Sequence, residues 1–120
     1  MNDITLQVTE NRLEILKDTY TTGGSVNYDT CTFSFDSTWD SFEKTAVFMR
    51  ENSDTYRTGL MDDSCKIPAD CIKQEGILKI GLYGINSDGV VITTNYVAHR
   101  VNEGIGEAES WIEEDSAYND

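Results

Sequence analysis

The sequence is poor in the residues that most enzyme chemistry needs. It holds one histidine, His99, in 120 residues. A Ser-His-acid site would have to use it, yet His99 falls in an extended stretch and shares a strand face with Val97 and Val101. A histidine so placed reads as a packed or half-exposed side chain rather than a general base. The three cysteines, Cys31, Cys65 and Cys71, are odd in number and contain no Cys-x-x-Cys pair, which argues against a disulfide framework. With one histidine available, they also lack the companions of a zinc site, so no metal or other cofactor is expected. Cys31 lies in an apolar-alternating run and reads as a small core residue.

Positive charge is scarce too. Nine Lys and Arg stand against 22 Asp and Glu, a formal net charge of −13. Nucleic-acid affinity rests largely on Lys and Arg neutralising phosphates, so direct DNA or RNA binding is not expected. The exception is a DNA mimic, whose acidic residues occupy a nucleic-acid site on another protein. The same surface disfavours anionic membranes, and no run approaches the roughly 20 apolar residues of a membrane span. The start, Met1-Asn2-Asp3-Ile4-Thr5, lacks the basic region and apolar run of a secretion signal. Synthesis and folding in the cytoplasm are expected; a protein made there can still leave the cell inside a particle.

The charge is uneven. Glu103 to Asp120 contains 7 acidic residues and no Lys or Arg, while the other 102 residues carry 15 acidic and 9 basic, a net of −6. The length suits one domain with a small core. Residues 1–104 read as that domain, and 105–120 as an acidic tail.

Along the chain, Ile4-Thr-Leu-Gln-Val8 alternates apolar and polar, the period of a half-buried strand. Glu10-Asn11 turns, and Arg12 to Leu16 returns. Thr19 to Ser25, with Gly23-Gly24, reads as a loop. Val26 to Asp36 reads as a strand with Cys31, Phe33 and Phe35 on one face and a bulge near Asp29-Thr30. Ser37 to Phe42 breaks the alternation, with Trp39 and Phe42 folded inward. Thr45 to Arg50 is apolar on both faces and is expected to be central in a sheet. Glu51 to Asp54 turns into a strand over Tyr56 to Met61, and Asp62-Asp63-Ser64 turns again. Pro68 to Gln74, with proline at the start and Gly76 beyond the end, predicts a one-to-two-turn helix. Ile77 to Ile85 and Val90 to Val101 are strands joined by the hairpin loop Asn86-Ser-Asp-Gly89. Glu107 to Asp115 reads either as a short helix with Trp111 and Ile112 on one side or as a disordered tail that orders on a partner. The expected fold is mostly β: a single antiparallel β-sandwich of about seven or eight strands with one short helix and an acidic C-terminal tail.

No catalytic constellation emerges, and the chain reads as a non-enzyme. Gly23-Gly24 has neither the spacing nor the following helix of a phosphate loop. Adjacent carboxylates at Asp62-Asp63 and Glu113-Glu114 would point opposite ways on a strand and read as solvated charges. Asn86 to Gly89 offers one carboxylate, too few for a calcium loop, so the hairpin reading is preferred. Trp39 and Phe42 read as core, because aromatics give the largest burial per residue in a small domain. Trp111 stands alone among charges. It is a partner anchor, with Ile112, Glu113 and Glu114 beside it, or it packs on its own domain.

Four pieces occur in order: Cys31-Thr-Phe-Ser-Phe-Asp36, Trp39-Asp-Ser-Phe-Glu-Lys-Thr-Ala-Val-Phe48, Cys65-Lys-Ile-Pro68 and Gly76-Ile-Leu-Lys-Ile-Gly-Leu-Tyr-Gly84, followed by a strand leading to Ile92-Thr-Thr94. In these the chain resembles the N-terminal domain of small phage tail and baseplate proteins, similar to the baseplate upper protein family of phages infecting low-GC Gram-positive bacteria. The resemblance spans roughly residues 2–106, and the block from Trp39 to Phe48 is its most distinctive part. It implies a β-sandwich adaptor, often trimeric, that attaches a fibre or receptor-binding element to the tail, with no catalytic residues. Family members commonly continue into helical or fibre regions, whereas this chain stops soon after the domain. The expectation therefore widens to a plug, collar, head-decoration or head-fibre subunit.

The leading expectation is a virion structural protein that works by assembly with other phage structural proteins, as a homo-oligomer for which the resemblance suggests a trimer, without nucleic acid or membrane. The alternative is an acidic inhibitor that acts as a decoy for a nucleic-acid-binding protein of the host.

Overall fold

Apolar residues at every second position set the first two strands. In the computed structural model, which describes residues 2–51 and 54–105, β1 (Asn2–Thr9) buries Ile4, Leu6 and Val8. Glu10, in the left-handed region at φ 51°, turns the chain into β2 (Arg12–Lys17), which pairs antiparallel with β1. The chain then crosses to a second sheet as β3 (Thr21–Thr22) and returns as β4 (Asp29–Phe35). β4 lies on the free side of β1 and runs parallel to it, Ile4 beside Cys31 and Leu6 beside Phe33.

After a 3-10 turn at Ser37–Trp39 come β5 (Glu43–Arg50), β6 (Thr55–Gly59) and β7 (Ser64–Lys66). β8 (Gly76–Ile85), β9 (Val91–Thr93) and β10 (Val97–Asn102) complete the fold. One sheet has the order β2-β1-β4-β7; the other is β3-β10-β8-β5-β6, with β9 also on β8. A single core joins them: Ile4, Leu6 and Phe33 of the first pack with Phe48, Leu78 and Ile80 of the second.

The protein is mostly β, as its periodicity implies, but it is not a clean antiparallel sandwich. Both sheets are mixed, because β1 and β4 are parallel and so are β3 and β10. Alternation marks a strand without giving its direction. Crossing to the second sheet between β2 and β4 supplies the long connection that parallel strands need. Among the described residues ten strands form, two of them, β3 and β7, too short to leave a periodic signal.

Three local expectations are corrected. The strand expected from Val26 begins at Asp29; Asn27 is left-handed at φ 59°, and Val26 and Tyr28 are exposed. The helix expected over Pro68 to Gln74 is a 3-10 turn at Ala69–Cys71, held by Cys71 N–H to Pro68 O and Ile72 N–H to Ala69 O. Burial of Cys71 and Ile72 anchors it as it stands, and a segment this short gains little from helix propagation. The last strand is broken. Between the pairs Tyr83–Thr93 and Ile80–Val97, β8 advances three residues and its partner four, so one residue is extra. That residue sits at Asn95, in a β-bulge.

Candidate functional site

The two sheets present different outer faces. On the four-stranded sheet the outward Thr30 and Thr32 hydroxyls donate to the Asp3 carboxylate at 2.7 and 2.9 Å. The six-stranded sheet is different. Inward Ala46, Phe48, Leu78, Ile80 and Leu82 are buried, so their neighbours Val47, Met49, Ile77, Lys79, Tyr83 and Ile85 face out. Arg57 stands opposite Val47, and Arg100 opposite Ile77. Ile77, Ile85, Val91 and Tyr96 remain 41, 45, 57 and 46% exposed, a large apolar content for a solvent face.

The charge of this face runs against that of the chain. Its outward strand positions carry Arg57, Lys79 and Arg100 against one carboxylate, Glu43, while the whole chain is at −13.

At the centre of the face is Gly81. A Cβ there would meet the Tyr96 ring at 3.0 Å, so glycine is what lets the ring lie on the strand. The bulge at Asn95 brings Tyr96 to this place. Beside the ring a depression of about 370 Å³ is walled by Val47, Arg57, Tyr83 and Thr93. Its chemistry, a guanidinium beside two phenol rings, suits an aromatic group with acidic neighbours.

His99 lies on the opposite side of this sheet, 1% exposed. Its Nδ1 is 2.6 Å from Asp18 Oδ1 and its Nε2 is 2.7 Å from Thr21 Oγ1. Thr21 Oγ1 also donates to Asp29 Oδ1 at 2.9 Å, which accepts a second bond from Asn2 Nδ2. The spacing imitates an acid-histidine-hydroxyl triad. Thr21 is fully buried, however, and its one proton goes to Asp29, so no substrate reaches the hydroxyl without β3 opening. The group ties β3, β4, β10 and the Asp18 segment together, at the cost of one carboxylate oxygen, Asp29 Oδ2, buried without a partner.

The other residues singled out by sequence fall into place individually. Trp39 is fully buried and its Nε1 donates to Glu10 O at 2.7 Å, as a core role requires. Its ring occupies space left by Gly84, where a Cβ would stand 2.9 Å from it. Phe42 is half-buried against the core. Cys31 and Cys71 are buried; Cys65, opposite Cys31 across β4 and β7, is partly so. Burial pushes the Cys65 and Cys71 thiols up to about 12 and the Cys31 thiol in the same direction. Asp62 and Asp63 are both left-handed turn residues. The Asn86–Gly89 loop is a hairpin turn, Gly89 N–H bonding Asn86 O with Gly89 at φ 79°. Among the described residues, no three His, Cys, Asp or Glu side chains gather in a metal-binding group. No helix among them is long and apolar enough to cross a membrane. The tail sites Trp111, Ile112, Glu113 and Glu114 lie outside the described residues.

Sequence reasoning missed the basic, apolar outer face. Its signal was present as Arg57, Lys79 and Arg100 in phase with exposed apolar residues on separate strands. Only the pairing places them together. Compared with known proteins, the chain matches no family model and no curated sequence.

Proposed function

We propose that this protein is a non-enzymatic bacteriophage virion structural protein, a β-sandwich adaptor of the tail, baseplate or fibre attachment that works by assembling with other phage structural proteins. The observation that carries this reading is the outer face of the six-stranded sheet. It keeps aliphatic and aromatic side chains in water and concentrates positive charge on an acidic chain, as a surface made to meet an acidic protein partner would. The block from Trp39 to Phe48, the most distinctive part of the phage-protein resemblance, forms the Trp39 turn and β5, which underlie that face.

Immunogold electron microscopy of purified particles tests it. Label at the tail tip supports the adaptor. Label on the head moves the protein to head decoration or head fibres. Absence of label from particles, with the protein abundant in infected cells, overturns the structural role.

A second reading, an acidic decoy of a host nucleic-acid-binding protein, draws on the net charge of −13. It requires capture of a basic host protein, with binding lost as salt rises.

A further inference from the structure

We propose that the outer face of the six-stranded sheet receives the acidic segment 107–115 of a second copy of this chain, with Trp111 in the depression beside Tyr96 and the flanking carboxylates on Arg57, Lys79 and Arg100. The proposal rests on the assembly reading and names the partner of the same face.

Charge complementarity is the first argument. The outward strand positions carry three cations and one anion, and Glu107 to Asp115 carries five carboxylates and no Lys or Arg. Most of this chain's remaining surface would repel such a segment. Shape is the second. The depression of about 370 Å³ lies within the size range of small-ligand sites. Gly81 gives it a floor without a side chain, and Arg57, Tyr83 and Tyr96 offer an indole one cation and two rings. Of the two tryptophans, Trp39 is fully buried in the core, which leaves Trp111 as the candidate for the depression.

Direction selects a second copy over the chain's own tail. β10 runs from Val97, opposite Ile80, to Val101, opposite Gly76, and so leaves the sheet heading away from Gly81. Beyond it, Gly104 lies against Gly23 next to β3, at the edge of the sheet. Gly81 is five residues back along β8 from Gly76, roughly 17 Å away. The six Cα-to-Cα steps from Ile105 to Trp111 span at most about 20 Å when fully extended. That leaves almost nothing for reversing direction, rounding the β3 edge and crossing β10. A neighbour's segment has no such constraint. Segment of one copy onto face of the next is a heterologous contact, which closes into a ring when the rotation allows.

Sedimentation velocity on the full chain tests this, from about 1 to about 100 µM, at low and high salt. The wild type should self-associate, less strongly as salt rises. The face reversal R57E/K79E/R100E and the segment reversal E113K/E114K should each weaken association at least about tenfold, and combining them should restore it. Tryptophan emission should shift to the blue with concentration in the wild type and not in W111A. Circular dichroism checks that each variant keeps its sheets; the segment reversal alters no described strand. A wild type that stays monomeric, reversals that leave association intact, or a combination that fails to restore it would each overturn the proposal. Particle labelling is an independent readout. Labelled particles with a monomeric protein in solution would sink the docking and spare the adaptor; self-association without particle label would do the reverse.

Discussion

The side-chain amide of Asn95 holds the backbone of Leu13 by both of its polar groups. Leu13 N–H donates to Asn95 Oδ1 at 2.8 Å, and Asn95 Nδ2 donates to the Leu13 carbonyl at 3.0 Å. Leu13 lies on β2, the free edge of the four-stranded sheet, and Asn95 is the extra residue of the bulge in the other sheet. An amide thus takes the place of a strand, ties the two sheets together and closes part of an edge open to foreign pairing. The same bulge brings Tyr96 over Gly81.

Asn95→Ala removes both bonds and should cost about 1–3 kcal/mol in urea unfolding. The Leu13 amide should lose hydrogen-exchange protection. Asn95→Asp keeps an acceptor for Leu13 N–H but has no donor for the carbonyl, so its loss should be intermediate.

The two close approaches on β8 should respond differently to an added methyl. At Gly84 a Cβ would stand 2.9 Å from both Phe42 Cβ and Trp39 Cζ3, with Trp39 fully buried and unable to yield. Gly84→Ala should destabilise by about 1–3 kcal/mol. At Gly81 the neighbour is Tyr96, which is 46% exposed and free to swing out. Gly81→Ala should cost less in denaturant titration while changing the shape of the depression.

His99→Gln should lower stability by about 1–3 kcal/mol, because it disrupts a buried polar group and leaves Thr21 and Asp18 under-partnered. Asp29→Asn should cost less than His99→Gln. It removes the charge from a side chain whose Oδ2 has no partner and keeps an oxygen for Thr21 and Asn2. Thermal melts of the two variants against wild type decide this.

The cysteines make stability fall at alkaline pH. Burial raises Cys65 and Cys71 to about 12 and Cys31 in the same direction, against about 8.5 for an unfolded thiol. Thiols that ionise first in the unfolded chain stabilise that chain. The contribution to folding is therefore intact below the unfolded value and is lost as pH rises from there toward 12. Each thiol should shift the folded-to-unfolded ratio by up to about tenfold per pH unit in that window. Urea midpoints at successive pH values measure the slope, and Cys71→Ala should flatten it. At neutral pH the native thiols should react slowly with alkylating reagents.

What a reader of the sequence finds first, strands β1, β2, β5 and β8, the Trp39 turn and the hairpin at Asn86–Gly89, is what local physics writes plainly. Alternation is set by the two-residue period of a strand, and turn residues such as Gly89 declare their φ. The strand expected from Val90 was legible as extended chain, but its break was not, since a bulge depends on what Asn95 bonds across the gap. The helix expected at Pro68 failed because capping signals were outweighed by burial of Cys71 and Ile72.

By itself, the sequence determined a mostly β chain, its apolar faces, its acidity and the core role of Trp39, because these depend on composition and on neighbours a few residues apart. Tertiary structure alone decided the rest. It set β4 parallel to β1, joined His99 to Asp18 across 81 residues and gathered Arg57, Lys79 and Arg100 onto one face. Strand partner and direction are chosen by which apolar faces can share one core, and that choice carries no local signature.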